Sequence, residues 1–338
     1  MKYFSLLSSP ERLGANEVHR LLMSDDWGVV TLRNNTGEIF DNNDHCLGLN
    51  RIKVFSLLYP VFYLLRFFPK GSFILADGIF PILIAKIISM LRRDIQFVAL
   101  IHNDYTINNR TRWKAIPDPV FNIVYRLILS TCSSLVTTSD AALKALQREG
   151  FKNVSCVDNI VESGTLPERG SKEVPDFWFI GRLVSAKNVR DILHVARKRN
   201  YLNFNIVGDG PEYDSLSDDC PGNVRFFGYV NEPFQLVSQG DVFMLPSSIE
   251  GKSLAVMRAA SSGLLLCLSD IAENRFVSEL PGCFFHEVRN ADSILQSVDN
   301  IVSFSRSQRE SMAAENKILI DRELDLDAFR LKYKALFS

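Results

Sequence analysis

Between residues 177 and 254 the chain reads FWFIGRLVSAKN at 177–188, VGDGP at 207–211, FFGYV at 226–230 and VFMLPSSIEGKSL at 242–254. Each segment contains a short apolar run that gives way to glycine or to a charged residue. This pattern is typical of buried parallel strands whose carboxyl ends open onto a ligand crevice. The stretch therefore predicts an α/β fold with polar loops gathered at one edge of a sheet.

The same alternation of strand and helix patterns runs along the whole chain, and it predicts doubly wound parallel sheets. In the first half we expect strands at 2–7, 28–32, 73–76, 97–101 and 135–138, and helices at 14–23, 81–91, 119–130 and 140–149. In the second half we expect strands at 177–180, 203–207, 224–227, 241–245 and 264–268, and helices at 187–199, 232–239, 252–262, 291–303 and after 307. The polar segment SGTLPERGSKEVP at 163–175 is the predicted domain linker.

Bulk composition narrows the class of protein. A chain of 338 residues with a formal net charge of −1 is long enough for two α/β domains and has no global field that attracts nucleic acid. The six cysteines form no Cys-x-x-Cys pair, so we expect reduced thiols in a cytoplasmic protein and no metal site.

An apolar run, LLYPVFYLLRFF at 57–68, leaves two interpretations open. The run is shorter than the roughly 20 apolar residues that a spanning helix needs, and Pro60 interrupts it. It is either a core helix under a sheet or part of a basic, apolar surface resting on the anionic inner face of the cell membrane. Nearby basic residues at 51, 53, 66, 70, 86, 92 and 93 motivate the second interpretation.

The order of the motifs from 177 to 254 resembles the C-terminal half of the retaining glycosyltransferases of family four (glycosyl transferases group 1), which have the GT-B fold. The resemblance implies two Rossmann-like doubly wound domains that face a central cleft. It places an acceptor-binding domain at 1–165, a nucleotide-sugar-binding domain at 170–322 and a C-terminal helix at 323–338 that returns to the first domain. The implied partners are a nucleotide diphosphate sugar and a glycan or lipid-linked glycan acceptor, with no cofactor.

Two cations, Arg182 and Lys187, suit a pyrophosphate because a guanidinium offers a planar fork of donors and an ammonium offers a compact charge. In the resembling family these positions hold the donor's diphosphate. The family also places other residues of the second half beside the donor. They are Gly181, Gly208, Asp209, Gly210, Tyr229, Val230, Gly251, Lys252, Ser253 and Leu254.

Gly208 and Gly210 are not a dinucleotide fingerprint, because Tyr213 stands where the third glycine would be and Pro211 interrupts the following helix. A tight strand-to-helix turn remains an alternative interpretation of this pair. The missing glycine also counts against a nicotinamide-dependent oxidoreductase.

Glu250 precedes a predicted helix start, where free amides favour an anion. A carboxylate there can hold sugar hydroxyls or stabilise positive charge on an anomeric carbon. The family carries a second glutamate after seven further residues, but this chain has Arg258. Arg258 is counted among the donor-binding candidates. Because arginine accepts no hydrogen bond, Arg258 either pairs with Glu250, contacts a phosphate or points elsewhere.

The first half contributes four further candidate site residues. Gly14 opens a helix where the family has a loop that approaches the donor phosphate or the acceptor. His102 ends a strand where the family has a histidine that contacts the transferring sugar. Asp77 and Asn103 are acceptor-binding candidates at strand ends. With Arg182, Lys187 and Glu250, His102 completes the expected catalytic set.

The expected function is therefore retaining, metal-independent sugar transfer in bacterial cell-surface polysaccharide or lipopolysaccharide assembly. The alternatives are a sugar-nucleotide epimerase of GT-B fold and a GT-B-like binding module without turnover, the latter motivated by Arg258.

Overall fold

The computed structural model describes residues 3–7, 14–24, 26–32, 45–46, 58–101, 118–164, 170 and 172–337. These residues form two compact units. The first unit comprises the described residues of Met1–Asn159 and Leu326–Ser338, and the second comprises those of Ile160–Asp325. The segment predicted as a linker, 163–175, thus begins inside the second unit. There the Gly164 amide donates to Ser261 Oγ at 3.0 Å.

The first unit contains a parallel sheet with the strand order β3-β2-β1-β4-β5-β6-β7 in its described part. The strands are β1 (Tyr3–Leu7), β2 (Trp27–Thr31), β3 (His45–Cys46), β4 (Phe73–Asp77), β5 (Gln96–Ile101), β6 (Leu135–Thr137) and β7 (Val154–Cys156). The two short strands β3 and β7 were not predicted, because two or three residues carry too little apolar pattern to be recognised.

Helices cover this sheet at α1 (Gly14–Leu22), α2 (Leu58–Phe67), α3 (Ile79–Leu91), α4 (Asp118–Ser130), α5 (Asp140–Arg148) and α11 (Leu326–Ala335). The last of these packs on α1, since Arg330 donates to the carbonyls of Leu21 and Met23, each at 2.9 Å. Tyr333 on the same helix is completely buried. The chain's C-terminal helix is therefore an integral part of the first unit.

The second unit contains a parallel sheet of order β10-β9-β8-β11-β12-β13. Its strands are β8 (Phe177–Ile180), β9 (Phe204–Val207), β10 (Val224–Gly228), β11 (Val242–Leu245), β12 (Leu265–Ser269) and β13 (Cys283–His286). Its helices are α6 (Val189–Lys198), α7 (Tyr213–Ser217), α8 (Leu254–Ser261), α9 (Ala291–Ser303) and α10 (Arg306–Asp321). All residues of β8, β9, β11 and β12 are buried, as continuous apolar runs in a two-sided sheet require.

Two predicted helices differ in the structure. The helix expected at 232–239 is only a 3₁₀ turn at Pro233–Leu236. The helix expected at 187–199 is divided, because Asn188 adopts a left-handed conformation (φ 49°) between a 3₁₀ turn at Ser185–Lys187 and α6. Strand β13 and helix α7 were not predicted. None of the helices in the described ranges combines the length and apolar character needed to cross a membrane.

Candidate functional site

The candidate site of the second unit lies at the carboxyl ends of β8 and β11. These strands are neighbours although two strands separate them along the chain, so the direction of the strand order reverses between them. Ligands of open parallel sheets bind at such a reversal, because the loops on either side diverge and leave a crevice. The loop after β8 carries Arg182 and Lys187, and the loop after β11 carries Glu250.

Lys187 and Glu250 meet across this reversal. The ammonium Nζ lies 2.5 Å from Glu250 Oε1, and the two side chains are 21% and 9% exposed. The pair joins residues that are 63 positions apart, so it ties the loop after β8 to the loop after β11. An ammonium has three donors, and only one of the three is engaged by a described residue.

Asn188 also connects the loop after β8 to the loop after β11. Its Nδ2 donates to the Pro246 carbonyl at 2.8 Å and to Ser248 Oγ at 2.7 Å. The Ser248 amide in turn donates to the Ala186 carbonyl at 2.8 Å. These three bonds explain why Asn188 adopts positive φ and why Lys187 lies in a 3₁₀ turn rather than in a helix.

Arg182 differs from Lys187 in its surroundings. Its side chain is exposed, and no described residue forms an ion pair or a hydrogen bond with its guanidinium. The loop after β8 thus presents one cation that is anchored by a carboxylate and one whose donors face away from the described protein groups.

The glycines at 208 and 210 allow this loop to lie directly against the next one. A Cβ on Gly208 would stand 1.9 Å from the Gly181 carbonyl oxygen, and one on Gly210 would stand 2.3 Å from the Leu183 carbonyl oxygen. Both glycines also have positive φ, at 141° and 158°. The Leu183 amide donates to the Asp209 carbonyl at 2.9 Å, so the backbone around Arg182 has a defined position.

The loop after β10 lies beside these two. The Gly208 amide donates to the Gly228 carbonyl at 2.8 Å, and Tyr229 directly follows with its ring exposed. Val230 packs at the edge of the second unit's core. The predicted donor residues 181, 208, 209, 210, 229 and 230 therefore come from three strand ends that are hydrogen-bonded side by side.

Helix α8 begins behind Glu250 with a side-chain cap. Ser253 Oγ accepts the Val256 amide at 3.4 Å, and Leu254 is the first residue of the helix. Lys252 Nζ lies 5.4 Å from the centre of the Phe276 ring, and Gly251 is half-buried. Ser253 thus satisfies one amide at the end of the helix that the sequence predicted as an anion site.

Arg258 does not pair with Glu250. Its Nη1 donates to the Glu162 carbonyl at 2.8 Å, so the side chain is directed to the start of the second unit. The sequence left three alternatives open for Arg258: pairing with Glu250, contact with a phosphate, or another direction. This contact matches another direction.

In the first unit the equivalent strand reversal lies between β1 and β4, and Asp77 ends β4. Asp77 Oδ2 lies 3.2 Å from Nε2 of His19, a completely buried residue of α1. His19 Nδ1 lies 2.9 Å from Ser5 Oγ, which accepts the Trp27 indole N–H at 3.0 Å. Because Nε2 faces a carboxylate, Nε2–H donates to Asp77, and in a neutral ring Nδ1 then accepts from Ser5 Oγ.

The structure says less about the other candidate site residues of the first unit. Gly14 is the first residue of α1. His102 and Asn103 lie outside the described residues. Within the described ranges, no three metal-ligating side chains form a group that would hold an ion.

Sequence reasoning missed Asn188 and His19. Asn188 had a weak signal, since asparagine is the residue besides glycine that most readily adopts positive φ. His19 had none, because its partners Ser5 and Asp77 become its neighbours only when β1, α1 and β4 assemble.

The second unit also matches a family of known proteins. Residues 174–303 match the family model "Glycosyl transferases group 1", which covers most of the second unit. The resemblance expected from the motifs at 177–254 is thereby confirmed.

Curated relatives are moderately similar. An uncharacterized glycosyltransferase of Haemophilus influenzae is 25% identical over 190 residues, 52% of this chain and 54% of that protein. The UDP-Gal:alpha-D-GlcNAc-diphosphoundecaprenol alpha-1,3-galactosyltransferase of Escherichia coli is 29% identical over 160 residues, 42% of this chain and 40% of that protein. The chain thus spans about half the length, or less, of the curated relatives it matches.

Solved structures match over almost the whole chain. Anabaena HepE in complex with UDP and glucose has a TM-score of 0.79 at 14% identity, covering 99% of this chain and 98% of that one. WaaG, a glycosyltransferase involved in lipopolysaccharide biosynthesis, has a TM-score of 0.72 at 12% identity, with 99% of each chain covered. At these identities the likeness concerns the fold alone, and it confirms the predicted GT-B class.

Proposed function

We propose that this protein is a retaining glycosyltransferase that moves a sugar from a nucleotide diphosphate donor to a lipid-linked, lipopolysaccharide or polysaccharide acceptor in bacterial cell-surface glycan assembly. The observation that carries the proposal is the strand reversal of the second unit. There a loop with two cations meets a loop with a carboxylate, and Lys187 touches Glu250 at 2.5 Å.

The two cations bind the diphosphate. Lys187 keeps two donors for phosphate oxygens while Glu250 holds the third, so the ammonium need not be reoriented when the donor arrives. Arg182 supplies a planar fork for the second phosphate. Together they neutralise the diphosphate without a metal ion or other cofactor. The turns at Gly208 and Gly210 and the residues Tyr229 and Val230 support the nucleoside.

Glu250 binds the sugar side of the donor. With one oxygen on Lys187, the second carboxylate oxygen is available to accept from a sugar hydroxyl or to stabilise charge at the anomeric carbon. The ion pair keeps this carboxylate at the border between phosphate and sugar, which is where the reacting bond lies.

In the proposed reaction the bond between the anomeric carbon and the phosphate oxygen breaks, and a bond to the acceptor oxygen forms on the same face. The acceptor hydroxyl proton passes to the leaving phosphate oxygen. The products are the glycoside and a nucleoside diphosphate. Lys187 and Arg182 stabilise the charge that grows on the leaving group, and this electrostatic contribution is the protein's main catalytic effect.

Asp77 is the proposed acceptor contact in the first unit, with His102 and Asn103 as further candidates. The chain of hydrogen bonds from Trp27 through Ser5 and His19 ends on Asp77. A carboxylate held by a completely buried histidine keeps one orientation, which suits recognition of a sugar hydroxyl. His19 acts in this scheme as a positioning residue.

The nucleotide to test first is uridine diphosphate. HepE has been solved with UDP, with UDP and glucose and with UDP-glucose, and the Escherichia coli relative is named for a UDP-galactose donor. These are properties of those proteins, and they set the order in which donors are tried.

The decisive experiment measures release of nucleoside diphosphate from a panel of sugar nucleotides, with and without a membrane extract as acceptor. The proposal expects extract-dependent release with one donor, and a loss of 100-fold or more in Arg182→Ala and Glu250→Ala, as for electrostatic groups that face a transition state. Interconversion of free sugar nucleotides without release would instead indicate an epimerase. Binding without any turnover would indicate a binding module.

A further inference from the structure

Three helices of the first unit form one continuous face. Helix α3 packs against both α2 and α4. At one end Arg92, just past α3, donates to the carbonyls of Leu65 and Phe68 at 3.1 and 2.6 Å. In the middle of α3, Lys86 Nζ donates to the Thr131 carbonyl just past α4, at 2.7 Å. The outer sides of the three helices are therefore held in a fixed arrangement, termed here the α2–α4 face.

This face exposes large apolar side chains at helical spacing. On α2 the residue is Phe62, which is 70% exposed, with Tyr59 one turn earlier and Tyr63 directly after it. On α3 it is Met90, 68% exposed, beside the exposed Leu91. On α4 it is Leu127, 61% exposed, one turn after the exposed Ile123. Each helix thus carries exposed apolar side chains in addition to those that are buried in the core.

The exposed apolar side chains are concentrated on these three helices. Among the described residues, nine of the fifteen exposed large hydrophobic side chains lie on α2, α3 and α4. The remaining six lie singly on other elements, which is normal for a folded surface and needs no explanation. A contiguous apolar patch on helices marks an interaction site.

The unpaired charges of the described residues around the patch are all positive. Arg66, Lys70 and Arg93 are exposed, and no described residue pairs with their side chains. Between residues 58 and 101 the chain has only two acids, Asp77 and Asp94. Both are engaged, Asp77 with His19 at 3.2 Å and Asp94 with Arg92 at 2.6 Å.

From this geometry we propose that the α2–α4 face binds an anionic lipid membrane as a peripheral surface. An apolar band flanked by lysine and arginine fits a headgroup layer, where the rings and aliphatic side chains enter the acyl boundary and the cations contact lipid phosphates. Tyrosines at the same level are typical of membrane interfaces.

A second copy of the chain fits this face poorly. In a two-fold interface both copies bury this same patch, so the cations of both would enter one interface. The described part of the patch carries no unpaired acid that would compensate them. The membrane is therefore the partner whose charge complements the face.

The test is flotation of the full chain with vesicles of phosphatidylglycerol and phosphatidylcholine, compared with vesicles of phosphatidylcholine alone. No donor or acceptor is added, so the result is independent of sugar transfer. We expect binding to the anionic vesicles that falls at least tenfold in Phe62→Asp/Met90→Asp. The matched control, Tyr201→Asp/Ile318→Asp, changes two exposed apolar residues of the second unit and should bind like the unmodified protein.

A charge variant tests the second part of the proposal. Removing three cations in Arg66→Gln/Lys70→Gln/Arg93→Gln should weaken anionic-vesicle binding roughly 100-fold, at about fivefold per cation. The control replaces three exposed lysines elsewhere, Lys144→Gln/Lys152→Gln/Lys198→Gln, and should lose little. Absence of flotation with anionic vesicles would overturn the proposal. So would equal binding to both vesicle types, or a dimer in sedimentation that Phe62→Asp/Met90→Asp dissociates.

Discussion

Replacement of Lys187 by methionine tests the proposed diphosphate contact most directly. Methionine keeps an unbranched side chain of similar reach but has no charge and no donor. In the unmodified protein Lys187 Nζ lies 2.5 Å from Glu250 Oε1, and the two side chains are 21% and 9% exposed. The substitution therefore removes the cation and leaves a mostly buried carboxylate without it.

The magnitude follows from these two effects. A charge-assisted hydrogen bond contributes about 1.5–3 kcal/mol, so loss of the phosphate contact should weaken UDP binding about 10- to 150-fold. The unpaired Glu250 carboxylate adds repulsion toward the diphosphate. In the double variant Lys187→Met/Glu250→Gln that repulsion is absent, so UDP should bind more tightly than to Lys187→Met alone.

The assay is titration calorimetry with UDP, backed by thermal melting to establish that each variant is folded. Lys198→Met is the matched control, because Lys198 is an exposed lysine at the end of α6 in the same unit. Its affinity should remain within twofold of the unmodified protein. A folded Lys187→Met variant with unchanged UDP affinity would refute the placement of the diphosphate at this strand reversal.

Three further predictions concern stability. Gly208→Ala would place a Cβ 1.9 Å from the Gly181 carbonyl oxygen at positive φ, so we expect the free energy of unfolding in urea to fall by about 1–3 kcal/mol and UDP to bind more weakly. The control Gly222→Ala lies in open space and should change neither quantity. Equal behaviour of the two variants would contradict the close packing of these loops. Burial lowers the pKa of His286 from 6.5, so on acidification the unfolded chain binds a proton at a higher pH than the folded protein does, and stability should fall as the pH drops below about 6.5. The difference between the urea midpoints at pH 5.5 and 7.5 should therefore be smaller in His286→Phe than in the unmodified protein. An unchanged difference would exclude His286 as its source. The Tyr333 hydroxyl is buried without a hydrogen-bond partner among the described residues, and burial raises its pKa. Tyr333→Phe should therefore leave the free energy of unfolding unchanged or raise it by about 1 kcal/mol. A decrease of more than about 1 kcal/mol would reveal a partner for the hydroxyl.

Secondary structure followed from the sequence wherever the apolar pattern was long. The strand at 177–180 and the helix at 291–303 have the predicted bounds. Ser139 caps α5, since its side chain accepts the Ala142 amide. These features are local, because burial on both faces and an unsatisfied helix end restrict the residue types within a few positions.

The predictions failed where a distant contact decided a local conformation. Asn188 interrupts the helix expected at 187–199 because its amide reaches Pro246 and Ser248 in another loop. Arg258 stands where the family pattern has a glutamate, and its direction toward Glu162 depends on how the start of the second unit packs on α8.

The sequence by itself determined the fold class, the strand ends that carry the polar loops and the types of charge at 182, 187 and 250. Short-range apolar runs and glycine turns are sufficient for that. Only the tertiary structure decided that Lys187 and Glu250 touch, that His19 holds Asp77 and that three helices expose a basic apolar face. Those results depend on strand order and helix packing. The first two bring together residues that are 63 and 58 positions apart, and no local pattern encodes such distances.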